Sequence, residues 1–201
     1  MNLRPDLQIP ASWIRKNTRV LDLGCGDGSL LKYLQLEHNV TGYGIEINHS
    51  NIVECIKKGV NVIQNDLDAG LSVFENNTFD YVIMTQTLQA IWHPDKLIED
   101  MLRVGREAII TFPNFGHWKS RINLGLGGRM PVTRALPHRW YSTPNIHLCT
   151  IRDFEKLCQH LDFRIIKRTV VNAAHKQTMA SRWFPNLLGE IALYHIRRTD
   201  R

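Results

Sequence analysis

Between two apolar stretches the chain reads Asp22-Leu-Gly24-Cys25-Gly26-Asp-Gly28, with glycine at every second position. Absent side chains let such a backbone turn tightly and come close to a ligand. A dinucleotide fingerprint requires Gly or Ala at the position that Ser29 fills, so that pattern fails. What stands here is an acidic residue two places before the first glycine, which sets a carboxylate at the mouth of the loop. Asp22 and Asp27 would repel a diphosphate and attract an ammonium or sulfonium group. Glu46 ends a second apolar stretch about 20 residues on, where a carboxylate can accept both hydrogen bonds of a ribose diol. Asn65-Asp66 ends a third, and a carboxylate there can accept from an exocyclic amine such as that of adenine.

Three acids in register need elements that bring them to one side. Arg19–Gly24, Val40–Ile47, Asn61–Asn65, Phe79–Met84 and Ala108–Phe112 read as short buried strands. Between them run helical patterns. Leu30, Leu31 and Leu34 repeat up to the Glu37-His-Asn stop. Asn48 caps a helix whose Ile52, Val53 and Ile56 share a face and which ends at Lys57, Lys58 and Gly59. Pro94 opens one with Leu97, Ile98, Met101 and Leu102 on one side. Thr150 and Asp153 match a capping box ahead of Phe154, Leu157, Cys158 and Leu161. Phe163–Val171 and Ile191–Arg197 complete the set as an antiparallel pair joined by a polar loop. The alternation predicts an α/β fold with a doubly wound, mostly parallel seven-stranded sheet and an antiparallel C-terminal strand, binding its ligand beyond the carboxyl ends of the first strands.

At 201 residues the chain is expected to be one domain, 1–201, with a core of ordinary size. Arg4, Pro5 and Asp6 stand where a secretory signal would be apolar, and no run of about 18 apolar residues exists, so a cytoplasmic protein is expected. Cys25, Cys55, Cys149 and Cys158 form no CxxC pair, and His138, His147 and His175 have no ligand spacing; neither a disulfide framework nor a metal site is expected. Charge divides the chain. Residues 1–112 carry net −4 and 113–201 net +10. Residues 113–149 hold five Lys and Arg, no acid, and Trp118, Trp140 and Tyr141. Connections in such folds run about 2 to 6 residues, so this basic aromatic insertion needs a job, either as a lid over an acceptor site or as a docking surface.

The glycine loop with Glu46 and Asp66 resembles the S-adenosylmethionine site of class I methyltransferases over Arg19–Phe112. The resemblance implies S-adenosylmethionine or S-adenosylhomocysteine as ligand. It lays Asp22, Gly24 and Gly26 along the methionine part and Glu46 on the ribose. Asp66 with the backbone near Leu67 falls to the adenine, and Thr85-Gln86 to the methionine end. Cys25, Gly28 and Ile47 belong to the same set. The strings Phe112-Pro-Asn-Phe-Gly-His-Trp118, Gly128-Arg-Met-Pro-Val-Thr133, Trp140-Tyr141 and Thr143–Phe154, with Thr85–Ala90, resemble the MetW family of methionine biosynthesis proteins. That resemblance implies a methyltransferase-like domain working with a MetX-type homoserine O-acyltransferase. An Asn-Pro-Pro-Tyr type motif is absent after the fourth strand, and His117 is the one weak candidate for a catalytic base. An accessory subunit thus ranks above a small-molecule methyltransferase. RNA binding by the basic half ranks last, because no RNA-reading module accompanies the charge. No membrane contact is expected.

Overall fold

The computed structural model describes residues 3–172 and 174–199. Seven strands form one sheet in the order β3-β2-β1-β4-β5-β7-β6. They are β1 (Arg19–Leu23), β2 (Thr41–Glu46), β3 (Val62–Gln64), β4 (Phe79–Thr85), β5 (Gly105–Pro113), β6 (Phe163–Val171) and β7 (Ile191–Arg198). The first five are parallel, and β7 runs antiparallel to both β5 and β6, between which it lies. Seven strands, a parallel body and an antiparallel C-terminal pair are thus as the sequence predicts.

Strands covered on both faces must be apolar in nearly every position. β1 and β4 are: Val20, Leu21, Leu23, Val82, Ile83 and Met84 are buried. The pleat sends alternate residues to opposite layers. On one face Leu21, Val82, Ile110 and Phe112 meet Leu97, Ile98 and Met101 of α4 (Pro94–Val104) and Phe154 and Cys158 of α6 (Ile151–His160). On the other, Val20, Tyr81, Ile83 and Ile109 meet Leu30, Leu31 and Leu34 of α2 (Ser29–His38), Cys55 of α3 (His49–Lys57) and Leu7 and Ala11 of α1 (Pro5–Ser12). α1 has a weakly patterned sequence and owes its place to this packing, reinforced by Trp13 stacked on His195 at a ring separation of 6.0 Å.

Several details depart from the periodicity. α3 buries Ile52 and Cys55, while Ile56 is exposed. The helix is rolled so that the smaller Cys55 fits beneath the glycine loop. β5 starts at Gly105, immediately after α4, because a Cβ there would stand 2.5 Å from Val82 Cγ2 and 3.1 Å from the Met101 carbonyl. The insertion contains α5 (Trp118–Gly125), and the polar loop before β7 contains two short helices, α7 (Met179–Trp183) and α8 (Pro185–Leu188). The Thr150 cap forms as expected, accepting from the Asp153 amide; the Asp153 carboxylate accepts from the Thr150 hydroxyl.

Candidate functional site

The order β3-β2-β1-β4 sets the carboxyl ends of these strands in a row, and every loop candidate lies along it. Gly24, Gly26 and Gly28 all take left-handed backbone angles, φ +67°, +55° and +73°, which explains why glycine recurs at alternate positions. The amides of Gly24 and Cys25 both donate to the Ile45 carbonyl, at 2.9 and 3.0 Å, tying the loop to β2. On its other side the loop presses on the turn after β4: a Cβ on Gly24 would meet Thr87 Oγ1 at 2.7 Å. Gly26 has nothing within 4 Å of the space a Cβ would fill, so its outer side is an open cradle.

Glu46 organises the loop. Its Oε2 accepts from the Gly26 amide at 2.9 Å and its Oε1 from the amides of Ile47 and Asn48 at 2.9 and 2.8 Å. A carboxylate offers about four acceptor positions, so one remains, on Oε2. The sequence expectation that Glu46 takes both bonds of a diol is therefore narrowed: a second bond must displace an amide from Oε1.

Asp22 stands corrected. It does not sit at the mouth of the loop but is buried to 1 % exposure, with one carboxyl oxygen enclosed and unpartnered. Burial, with repulsion from Glu46 added, pushes its pKa up to about 8, so the group is a neutral acid at pH 7. Asp27, also expected to repel anions, is exposed and engaged by Lys58 and Ser29. Asp66 is exposed and accepts from the Asp68 amide at 3.0 Å, capping a 3₁₀ turn at Leu67–Ala69 in which Leu67 is buried. Ile47 is exposed beside Glu46.

At the end of β4, Gln86 has φ +57°, a conformation costly for a side-chain-bearing residue. Its amide is held by the Thr111 carbonyl and hydroxyl at 3.0 and 3.1 Å. Strain of this kind concentrates at working sites. Gln89, at the turn that follows, accepts at its carbonyl from Ile146 and His147, while His147 Nε2 lies 3.2 Å from the Trp92 carbonyl. The far end of the insertion is thereby fastened to the turn next to Thr85 and Gln86.

His117 follows β5. It is buried before α5, with Trp118 at a ring separation of 5.7 Å and with Glu190 and Lys119 as its charged neighbours. Burial holds its pKa below the usual histidine range, and Lys119 adds to the effect against the pull of Glu190.

Three features escape sequence reasoning. Cys25 and Cys55 bring their sulfurs within 3.8 Å under the loop, 30 residues apart in the chain, and both thiols are pushed up by burial. Thr87 lies in the quoted Thr85–Ala90 string, but nothing local announces that it packs against Gly24. Asn114 is a buried hub: its amide nitrogen donates to the carbonyls of Asn186 and Gly189, and its oxygen accepts from the amides of Gly116 and Ile151. The quoted string around Pro113–Trp118 contains it, but nothing local announces four partners. Among the described residues no cluster of three or more His, Cys, Asp or Glu could hold a metal ion, and no helix is long and apolar enough to cross a membrane.

The fold resembles solved S-adenosylmethionine-dependent methyltransferases. The protein from Mesorhizobium loti matches with TM-score 0.68 at 16% identity, over 96% of this chain and 98% of that one. The protein from Archaeoglobus fulgidus matches with TM-score 0.65 at 18%, over 94% and 89%. Sequence gives a nearer relation. A curated relative from Rhodopirellula baltica, "Bifunctional methionine biosynthesis protein MetXA/MetW", is 34% identical over 197 residues, covering 94% of this chain and 32% of that protein. The chain thus spans about a third of the length of that relative. The model of the family "Methionine biosynthesis protein MetW" matches residues 4–196, and the chain belongs to that family.

Proposed function

We propose that the chain binds S-adenosylmethionine, or its demethylated product S-adenosylhomocysteine, along the carboxyl ends of β1 to β4, and serves as the accessory or regulatory subunit of a MetX-type homoserine O-acyltransferase in the cytoplasm. The observation that carries the partnership is the relative whose single polypeptide joins MetXA and MetW. Fusion holds two modules at millimolar effective concentration, which is useful where they act together. For the ligand, the support is the loop: left-handed glycines, the open cradle at Gly26 and a buried unpartnered carboxyl at Asp22. In this reading Gly24, Cys25, Gly26 and Gly28 line the methionine part, backed by the buried Asp22, with Thr85 and Gln86 at its end. Glu46 and Ile47 flank the ribose, and Asp66 and Leu67 the adenine. The insertion, fastened at Gln89 and Trp92, acts as a lid beside that ligand. The ligand regulates the pair only to the extent that it binds free and complexed chain differently.

The test is O-acylhomoserine formation by the same organism's acyltransferase, with and without this chain, each at zero and saturating S-adenosylmethionine. Dependence on the chain supports the accessory reading, and a ligand effect on top of it shows regulation. Indifference refutes it and promotes the second reading, a small-molecule methyltransferase with its acceptor enclosed by the insertion.

A further inference from the structure

Large aromatic side chains left in water are a cost that folding does not recover, and contiguous exposed patches of them mark interaction sites. At the junction of α7 and α8, Trp183 is 77 % exposed and Phe184 62 %, with Met179, one helical turn before Trp183, at 72 %. These helices do not exist to bury their own side chains: among their described residues α7 buries only Ser181 and α8 none. They are nevertheless fixed. Thr178 and Ser181 form a reciprocal capping box, and the buried Asn114 holds the Asn186 and Gly189 carbonyls. The aromatic pair is thus displayed on a pinned scaffold.

Trp183, Phe184 and Leu187 line a cavity of about 330 Å³, together with Arg121, Arg152 and Arg168. Its acid is Glu155, which is already engaged by Arg168 at 2.8 Å and by the Tyr194 hydroxyl at 2.9 Å. The Arg152 side chain is exposed and makes no hydrogen bond or ion pair among the described residues. Trp, Phe and Arg around a pocket form the composition of interface anchors, and the uncompensated sign calls for an acidic partner face. A second copy of this chain does not supply one, because a two-fold contact would lay arginine on arginine in a protein of net charge +6. Nucleic acid is less suited, since the cations ring one aromatic cavity and do not track a strand.

We propose that the α7–α8 junction with Arg152 and Arg168, to which the insertion contributes Arg121, is the docking surface for an acidic, apolar face of the acyltransferase partner. The inference rests on the partnership proposed above. Complex formation between the full chain and the same organism's acyltransferase is measured by biolayer interferometry at two salt concentrations. Trp183→Ala is expected to weaken Kd at least 30-fold, mainly through faster dissociation. Arg152→Glu is expected to slow association and flatten its salt dependence. Arg139→Glu, in the insertion, should bind as the parent does. Because Trp183 and Arg152 pack against little, their variants should melt with the parent. If the parent complex forms and the Trp183 and Arg152 variants bind equally well, the surface is overturned and the partnership stands. If the parent chain forms no complex, both fall. If the variants lose only affinity for a single-stranded RNA probe, the surface belongs to nucleic acid and the proposal is overturned.

Discussion

Asp22→Asn should make the protein more stable at neutral and alkaline pH. The wild-type carboxyl is enclosed, has an unpartnered oxygen and carries a pKa pushed up to about 8 by burial and by the charge of Glu46. In the unfolded chain the same group ionises near 3.9. Between these values the unfolded state releases a proton that the folded state keeps, so the contribution of this one group to stability is most favourable below about pH 4, declines through the window from 4 to 8 and levels above it. At pH 7 the penalty comes to about 4 kcal/mol, using 1.36 kcal/mol per pKa unit over roughly three units. That is a large share of a typical 5 to 15 kcal/mol total. Asparagine has nearly the same shape and cannot ionise. Urea unfolding at pH 5 and pH 8.5 should therefore show a steep difference for wild type and a smaller one for Asp22→Asn, with the variant ahead at the higher pH. Parallel pH profiles would refute the assignment of Asp22 as a buried neutral acid.

Gly26→Ala and Gly28→Ala separate ligand space from packing. At Gly28 the added methyl would meet Cys55 Sγ at 2.9 Å and Val60 Cβ at 3.4 Å, so stability should fall by about 2 kcal/mol or more, read as a lower urea midpoint. At Gly26 it meets nothing within 4 Å, so only the left-handed strain of about 1 kcal/mol applies, while affinity for S-adenosylmethionine in a calorimeter should drop by tenfold or more. Glu46→Gln keeps the size of the side chain but removes the charge that holds three amides; loss of adenosyl-ligand binding with a stability loss of about 1 to 3 kcal/mol is expected from paired calorimetry and denaturation. Asn114→Ala strips four buried bonds at once, and a destabilisation of about 3 kcal/mol with faster proteolysis within 113–149 should follow.

Legibility followed the range of the forces involved. The strands β1 to β5 and their helices are written in local periodicity, and the loop is written in its glycines because left-handed angles leave few other choices. The antiparallel ending of the sheet was legible from the polar connection before β7. What periodicity could not supply was three-dimensional company. α1 has almost no amphipathic pattern, and Trp13 finds His195 only through the sheet. Asp22 looks like a loop carboxylate in one dimension and is buried because β2 and β4 flank it on both sides. Asn114, Cys55 and Thr87 act through partners that are distant in sequence.

The position of β7 has a consequence for how the protein can be made. It follows every other described strand in sequence, yet it lies between β5 and β6 and pairs with both. On a ribosome working from the N-terminus, β6 has no sheet to join until Ile191–Arg198 emerges. Until then the apolar row Ala108 to Phe112 on β5 waits with an open edge, the state most exposed to pairing with a neighbouring chain. Closing the sheet therefore waits for the segment Ile191–Arg198. Chains cut short before Ile191 are expected to reach the cell as aggregates or as substrates for proteolysis, even though every residue of the glycine loop is present in them.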